Sequence, residues 1–184
     1  MTAADETAAR KETPAQTAGP YLHIGVRPSA CGMERRALGP ELGDTITGAE
    51  TPDAIALELL ILDGAGEPVR DAWVEIWWAG PEGGGSGHWA RRTADFDTGL
   101  VRFRTPRPRR VGGQAPHLLV WIAARGINLP LVTRIYFPDE ENGDDTVLRL
   151  AGERAGTMVA ERMEGGYRHA IRLQGEGETV FLAI

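Results

Sequence analysis

The run His117-Leu-Leu-Val-Trp-Ile-Ala-Ala124 is apolar after its leading histidine and stops sharply at Arg125-Gly126. It reads as a buried strand running into a turn, and a chain that must cover both faces of such a strand folds in layers around it. Arg125, Gly126 and Asn128 bring polar groups to one rim, and a guanidinium delivered by a central strand is a common start for a binding pocket on a rigid scaffold. The strand does not supply a metal pair. Residues two apart share a strand face, so a second ligand beside His117 would stand at position 119, which is Leu119.

The neighbouring pattern is also β. Residues 55–62 form a strand, 63–66 a turn, and 69–78 the return strand of a pair. On that return strand Ala72, Val74, Ile76 and Trp78 share one face and Trp73, Glu75 and Trp77 the other, so both faces are expected to be covered. Residues 81–87 form a glycine-rich loop that lacks the lysine and strand-to-helix setting of a phosphate-binding loop, so it reads as a crossover, with His88 and Trp89 following it. Further strands are expected at 100–104 and 133–137, with a solvated proline-arginine loop at 105–113 and an acidic turn at 138–145. Residues 153–163 alone have helical composition, and a short surface helix is expected there. The end reads as a hairpin, with Tyr167, His169, Ile171 and Leu173 on one strand face, a turn at 175–177, and Val180, Leu182 and Ile184 on the partner strand. Seven or so short strands separated by turn signals predict an all-β protein, an antiparallel β-sandwich with long loops and at most short helices.

Bulk properties bound the function. A chain of 184 residues, 42% hydrophobic and 25% charged, fits one domain with spare length. A net charge of -6 argues against a nucleic-acid or anionic-membrane surface. Cys31 is the only cysteine and has no internal partner, and the first residues lack an apolar signal core, so the expected location is the cytoplasm. The longest apolar runs are about eight residues, against the ~20 that span a bilayer. Residues 1–12 are expected to be a disordered tail, residues 13–25 an extended strap with two prolines and a Gly-Pro step, and residues 31–53 loop with at most a helical turn. This divides the chain into a tail at 1–12, an N-terminal arm and loops at 13–54 that pack on a partner, and a sandwich core at 55–184.

Several motifs together carry a resemblance. The arm Thr13-Pro-Ala-Gln-Thr-Ala-Gly-Pro-Tyr-Leu-His-Ile-Gly25, then Asp71-Ala-Trp-Val-Glu-Ile-Trp77, Ala115-Pro-His117, Ala124-Arg-Gly-Ile-Asn128, Thr133-Arg-Ile-Tyr-Phe137 and Gln174-Gly-Glu-Gly-Glu-Thr-Val-Phe181 resemble the intradiol ring-cleaving dioxygenases. The likeness is to the alpha-type chains of the two-chain members and runs over essentially all of the sequence after Lys11. It implies a β-sandwich paired with a homologous iron-binding beta subunit, and a reaction in which O2 splits a catechol ring between its two hydroxyls at ferric iron.

In that family two tyrosines and two histidines of the beta chain hold Fe(III). Here only His117 matches a ligand; Leu119 stands at the second histidine, and neither the loop 83–89 nor the stretch 105–113 contains a tyrosine. The resemblance therefore implies no metal on this chain and no catalytic residue of its own. It does imply substrate-binding residues, because the family's alpha arm and alpha turn wall the pocket: Thr17, Gly19, Pro20 and Arg125. A guanidinium at Arg125 suits a carboxylated catechol, and a Gly-Pro step lets backbone approach a ring without side-chain bulk. His23, His88 and His169 read as surface or satisfied core residues, and His117 as a relic hydrogen-bonded to backbone. Tyr21, Tyr136 and Tyr167 are explained by packing. Two other readings stay open: a non-enzymatic β-sandwich binding module, and a self-sufficient homo-oligomeric dioxygenase with a different ligand set.

Overall fold

The computed structural model describes residues 16–33, 41–46, 48–79 and 87–183. The tail at 1–12, the first residues of the strap, most of the glycine-rich loop and Ile184 lie outside the described residues. Eight strands are found among the described residues: β1 (Ala54–Leu62), β2 (Trp73–Ala79), β3 (Gly87–Thr93), β4 (Leu100–Pro106), β5 (His117–Ala123), β6 (Leu131–Tyr136), β7 (Glu161–Met163) and β8 (Gly166–Arg172). They make two four-stranded sheets, ordered β4-β1-β8-β7 and β3-β2-β5-β6. All neighbours are antiparallel except β1 and β8, which run parallel. One apolar cluster joins the sheets: Leu57, Leu59 and Ile61 of β1 and Phe103 of β4 pack with Val74 and Ile76 of β2 and Leu118, Val120 and Ile122 of β5. The alternation of period two chose these inward faces, as expected of a sandwich.

Strand neighbours differ from the expected hairpins. β1 and β2 belong to different sheets, because both edges of β1 are taken by β4 and β8. After the Leu62–Pro68 bridge and the Val69 N–H to Ile61 carbonyl bond, the chain leaves for the other sheet. The C-terminal hairpin fails for the same reason, since β8 already lies between β1 and β7. The tail instead bonds at Thr179 N–H to the Arg172 carbonyl, then crosses to the second sheet through Leu182 N–H to the Val132 carbonyl.

The helical expectation is displaced. Asp145 caps α2 (Thr146–Ala151), accepting from the amides of Val147 and Leu148, and a 3-10 turn follows at Gly152–Met158 before β7 takes residues 161–163. The strap is not extended throughout: its end coils into α1 (Leu22–Val26). Arg107 is paired as well as partly exposed: it meets Asp139 at 2.8 Å and Glu140 at 2.9 Å, over the rings of Phe137 and Tyr167. β3 has no clear strand signal in the sequence because four of its residues, His88, Arg91, Arg92 and Thr93, are polar and a glycine run precedes it.

The outer face of β2 is only partly covered. Glu75 is buried, held by Arg91 through two bonds of 2.6 and 2.8 Å to one oxygen, and Arg91 lies 4.3 Å from the Trp73 ring. Trp77 stacks on Trp89 yet stays 41% exposed, so this side of the strand is left open. No helix among the described residues is long and apolar enough to cross a membrane.

Candidate functional site

The β2–β5 ladder sets Trp73 opposite Ala123 and Val74 opposite Ile122. Continued two residues beyond its last pair, this register sets Asp71 opposite Arg125. The two meet there: the Arg125 Nε–H donates to Asp71 Oδ2 at 2.6 Å, and the Arg125 backbone N–H reaches the same oxygen at 3.3 Å. Arg125 keeps 62% of its side chain exposed and Asp71 only 19%, so the carboxylate forms the floor and the guanidinium the rim. Gly126, at φ +89°, makes the left-handed step that ends the strand at this point.

The arm is tied to the same turn from the other side. Thr17 Oγ1 accepts the Gly126 N–H at 2.6 Å and donates to the Ala124 carbonyl at 3.3 Å, so it bridges the residues flanking Arg125. Gly19 and Pro20 follow in the exposed part of the arm, where the Gly19 carbonyl accepts the Leu22 N–H and opens α1. A side-chain carbon at Gly19 would meet nothing within 4 Å, so packing within this chain does not demand glycine there. His23 of α1 is buried, edge-on to Phe96. Burial pushes its pKa down; the Asp71 carboxylate opposes this and the Arg125 charge reinforces it.

Of the four residues expected to bind substrate, the structure brings Thr17 to the turn of Arg125 through the flanking Ala124 and Gly126, with Gly19 and Pro20 next along the arm. Asp71 lies in the motif 71–77 but carries no sequence signal of its own. Only the strand register reveals its facing residue.

His117 opens β5 some distance along the strand from this turn. Its Nδ1 lies 2.8 Å from the Ala115 carbonyl and therefore carries the proton. Burial lowers its pKa, against the Ala115 bond and with the Arg134 charge. The nearest tyrosine, Tyr136, has its ring 5.5 Å away and donates its hydroxyl to Asp145 at 2.9 Å. Burial is the main cause that pushes the Tyr136 pKa up to about 12, and its hydroxyl is committed to Asp145. Among the described residues no three His, Cys, Asp or Glu side chains stand close enough to share a metal ion. This donor set does not fit ferric iron.

No protein-family model matches the sequence. Curated relatives do, among them two alpha chains. The alpha chain of protocatechuate 3,4-dioxygenase from Pseudomonas putida is 37% identical over 193 aligned positions, covering 92% of this chain and 95% of the relative. That from Burkholderia cepacia is 32% identical over 200, covering 95% and 98%. Among solved structures, catechol 1,2-dioxygenase from Pseudomonas arvilla C-1 gives a TM-score of 0.54 at 20% identity, over 71% of this chain and 55% of that one. The dioxygenase domain from Streptomyces sp. SirexAA-E gives 0.52 at 16% identity, over 74% and 93%. At those identities the structures speak for the fold alone, which is the intradiol dioxygenase sandwich. The two relatives, aligned across nearly their whole length, show more: the chain belongs to the family of protocatechuate 3,4-dioxygenase alpha chains.

Proposed function

We propose that this chain is the metal-free alpha subunit of a protocatechuate 3,4-dioxygenase. It completes the substrate pocket of an iron(III)-bearing beta subunit, which cleaves 3,4-dihydroxybenzoate with O2 to 3-carboxy-cis,cis-muconate. The observation that carries the reading is the meeting of the arm and the Arg125 turn at one exposed place, where Thr17 and Gly126, 109 residues apart in sequence, are joined at 2.6 Å. An unmatched donor set around His117 supports placing the iron on the partner. The half-open tryptophan face of β2 and β3 supports a partner in contact.

The chain's own work in this reading is to bind and orient. The Arg125 Nε–H is engaged by Asp71, and the Nη groups have no acceptor among the described residues. A planar fork of N–H donors suits the substrate carboxylate, and its positive charge offsets the repulsion that a chain of net charge -6 exerts on an anion. Thr17 holds the arm against the turn, so that Gly19 and Pro20 can line the pocket without side-chain bulk. No group of this chain transfers a proton or an electron to the ring.

Expression with and without an iron-binding beta chain tests the reading. The complex should contain stoichiometric iron, show ferric-tyrosinate colour and consume O2 with 3,4-dihydroxybenzoate, while this chain alone should do none of these. Tight stoichiometric iron on the isolated chain would move the chemistry onto it. A stable complex without turnover would favour a binding module built on the same sandwich.

A further inference from the structure

We infer that Asp71 is a positioning residue for substrate selection: it holds the Arg125 guanidinium so that its free edge meets the carboxylate of an aromatic acid. The inference rests on the reading of Arg125 given above and deepens it. One oxygen, Asp71 Oδ2, accepts from both the backbone N–H and the side-chain Nε–H of Arg125, at 3.3 and 2.6 Å. A single acceptor shared by the two ends of one side chain fixes that side chain's torsions. Arg125 has no other hydrogen-bonded acceptor among the described residues, so its four Nη hydrogens are left for a ligand, on an exposed side chain. Unheld, a side chain 62% exposed would sample many rotamers and would have to be ordered anew by each substrate.

Asp71 is suited to hold rather than to bind. It is the less exposed partner, it is fixed by the continued β2–β5 register, and the guanidinium stands between it and the rim. Its negative charge could also act in the opposite direction, by repelling an anionic substrate. The 2.6 Å pair screens that charge, and the ordering of a long exposed side chain outweighs the residue of repulsion.

The test is Asp71→Asn in the iron-loaded complex with the beta chain, beside Arg125→Ala and the double variant. Asparagine keeps an oxygen for the Arg125 backbone N–H but loses the charge that grips Nε. KM for 3,4-dihydroxybenzoate should rise about three- to tenfold, the effect of freeing one rotamer-rich side chain, with kcat nearly unchanged. The anaerobic dissociation constant of the same acid should rise in parallel, and plain catechol should be indifferent. In the Arg125→Ala background, Asp71→Asn should add nothing. A KM that falls or stays put in Asp71→Asn while Arg125→Ala raises it overturns the positioning role alone. Silence of Arg125→Ala with both substrates overturns the underlying reading instead. Equal losses for both substrates make Asp71 merely structural. If Asp71→Asn does not assemble, Asp71→Glu carries the test: a smaller rise confined to the carboxylated substrate supports the inference, and wild-type behaviour or equal losses overturn it.

Discussion

Thr17 and Gly126 are joined by a 2.6 Å hydrogen bond from the Gly126 amide to the threonine hydroxyl, which passes its own proton toward the Ala124 carbonyl. An otherwise exposed arm is thereby anchored to the turn that carries Arg125. Each bond is worth about 1 kcal/mol net. Thr17→Val, which keeps the shape and removes both, should lower Tm by a few degrees at most in a domain of this size. Amide hydrogen exchange at Gly126 should speed up, and Thr17→Ser should restore it. Unchanged exchange would mean that the arm is held elsewhere.

Arg125→Ala in the assembled enzyme should reduce the use of 3,4-dihydroxybenzoate by roughly ten- to a hundredfold, the loss of a charge-assisted hydrogen bond worth about 1.5 to 3 kcal/mol. The loss belongs in KM, because the carboxylate is remote from the bond that breaks and its contact is made equally in ground and transition states. Steady-state kinetics with plain catechol is the control. A matched loss there would remove the carboxylate from the explanation.

How far the sequence disclosed this arrangement depends on the kind of information asked of it. Period two groups Ala72, Val74, Ile76 and Trp78 on one strand face, and that face is the buried one, whereas the run after His117 is apolar at every position and leaves the inward set of Leu118, Val120 and Ile122 unmarked. Alternation says nothing about which edge a strand bonds, so β1 was paired with β2 when its edges belong to β4 and β8. The helical turns were displaced because their start depends on one buried cap, Asp145, that sits in an acidic run of low contrast. Arg125 was legible as the residue that ends an apolar strand. Asp71 was not, because its partner is 54 residues away and only the register of the ladder brings them opposite.

Asp145 is expected to be the most sensitive buried polar position outside the site. It is fully buried and accepts from the Ala115 N–H at 3.0 Å, the Tyr136 hydroxyl at 2.9 Å, the Val147 N–H at 2.9 Å and the Leu148 N–H at 3.3 Å. Burial pushes its pKa up, but the Tyr136 hydroxyl and the three amides outweigh this and hold the carboxyl below its ordinary value. Asp145→Ala removes a helix cap and strands several buried donors, so it should cost about 3 to 5 kcal/mol. Urea titration measures this, and a cost under about 1 kcal/mol would show that water replaces the carboxylate.

His169 supplies the pH dependence. It lies on β8, buried, with Nε2 lacking a partner among the described residues. Burial is the main cause that brings its pKa down to about 4 from an ordinary 6.5, with the backbone at Thr157 and Val159 and the charge of Glu161 opposing. The sign follows from which state takes up the proton. Between pH 6.5 and 4 the unfolded chain protonates this imidazole and the folded chain does not, so its contribution is fully present above pH 6.5 and is lost as pH falls toward 4. From pH 7.5 to pH 5 the loss should be about 2 kcal/mol. Depressed carboxyls such as Asp139 and Asp145 act in the same direction, but below their ordinary value of 3.8, outside this window. Leucine at this position cannot titrate, so the free energy of unfolding of His169→Leu should fall less from pH 7.5 to pH 5 than that of the wild type, by about that amount, the remaining slope coming from His23 and His117, whose pKa values burial also lowers. The same slope in both proteins would assign the acid sensitivity to another group.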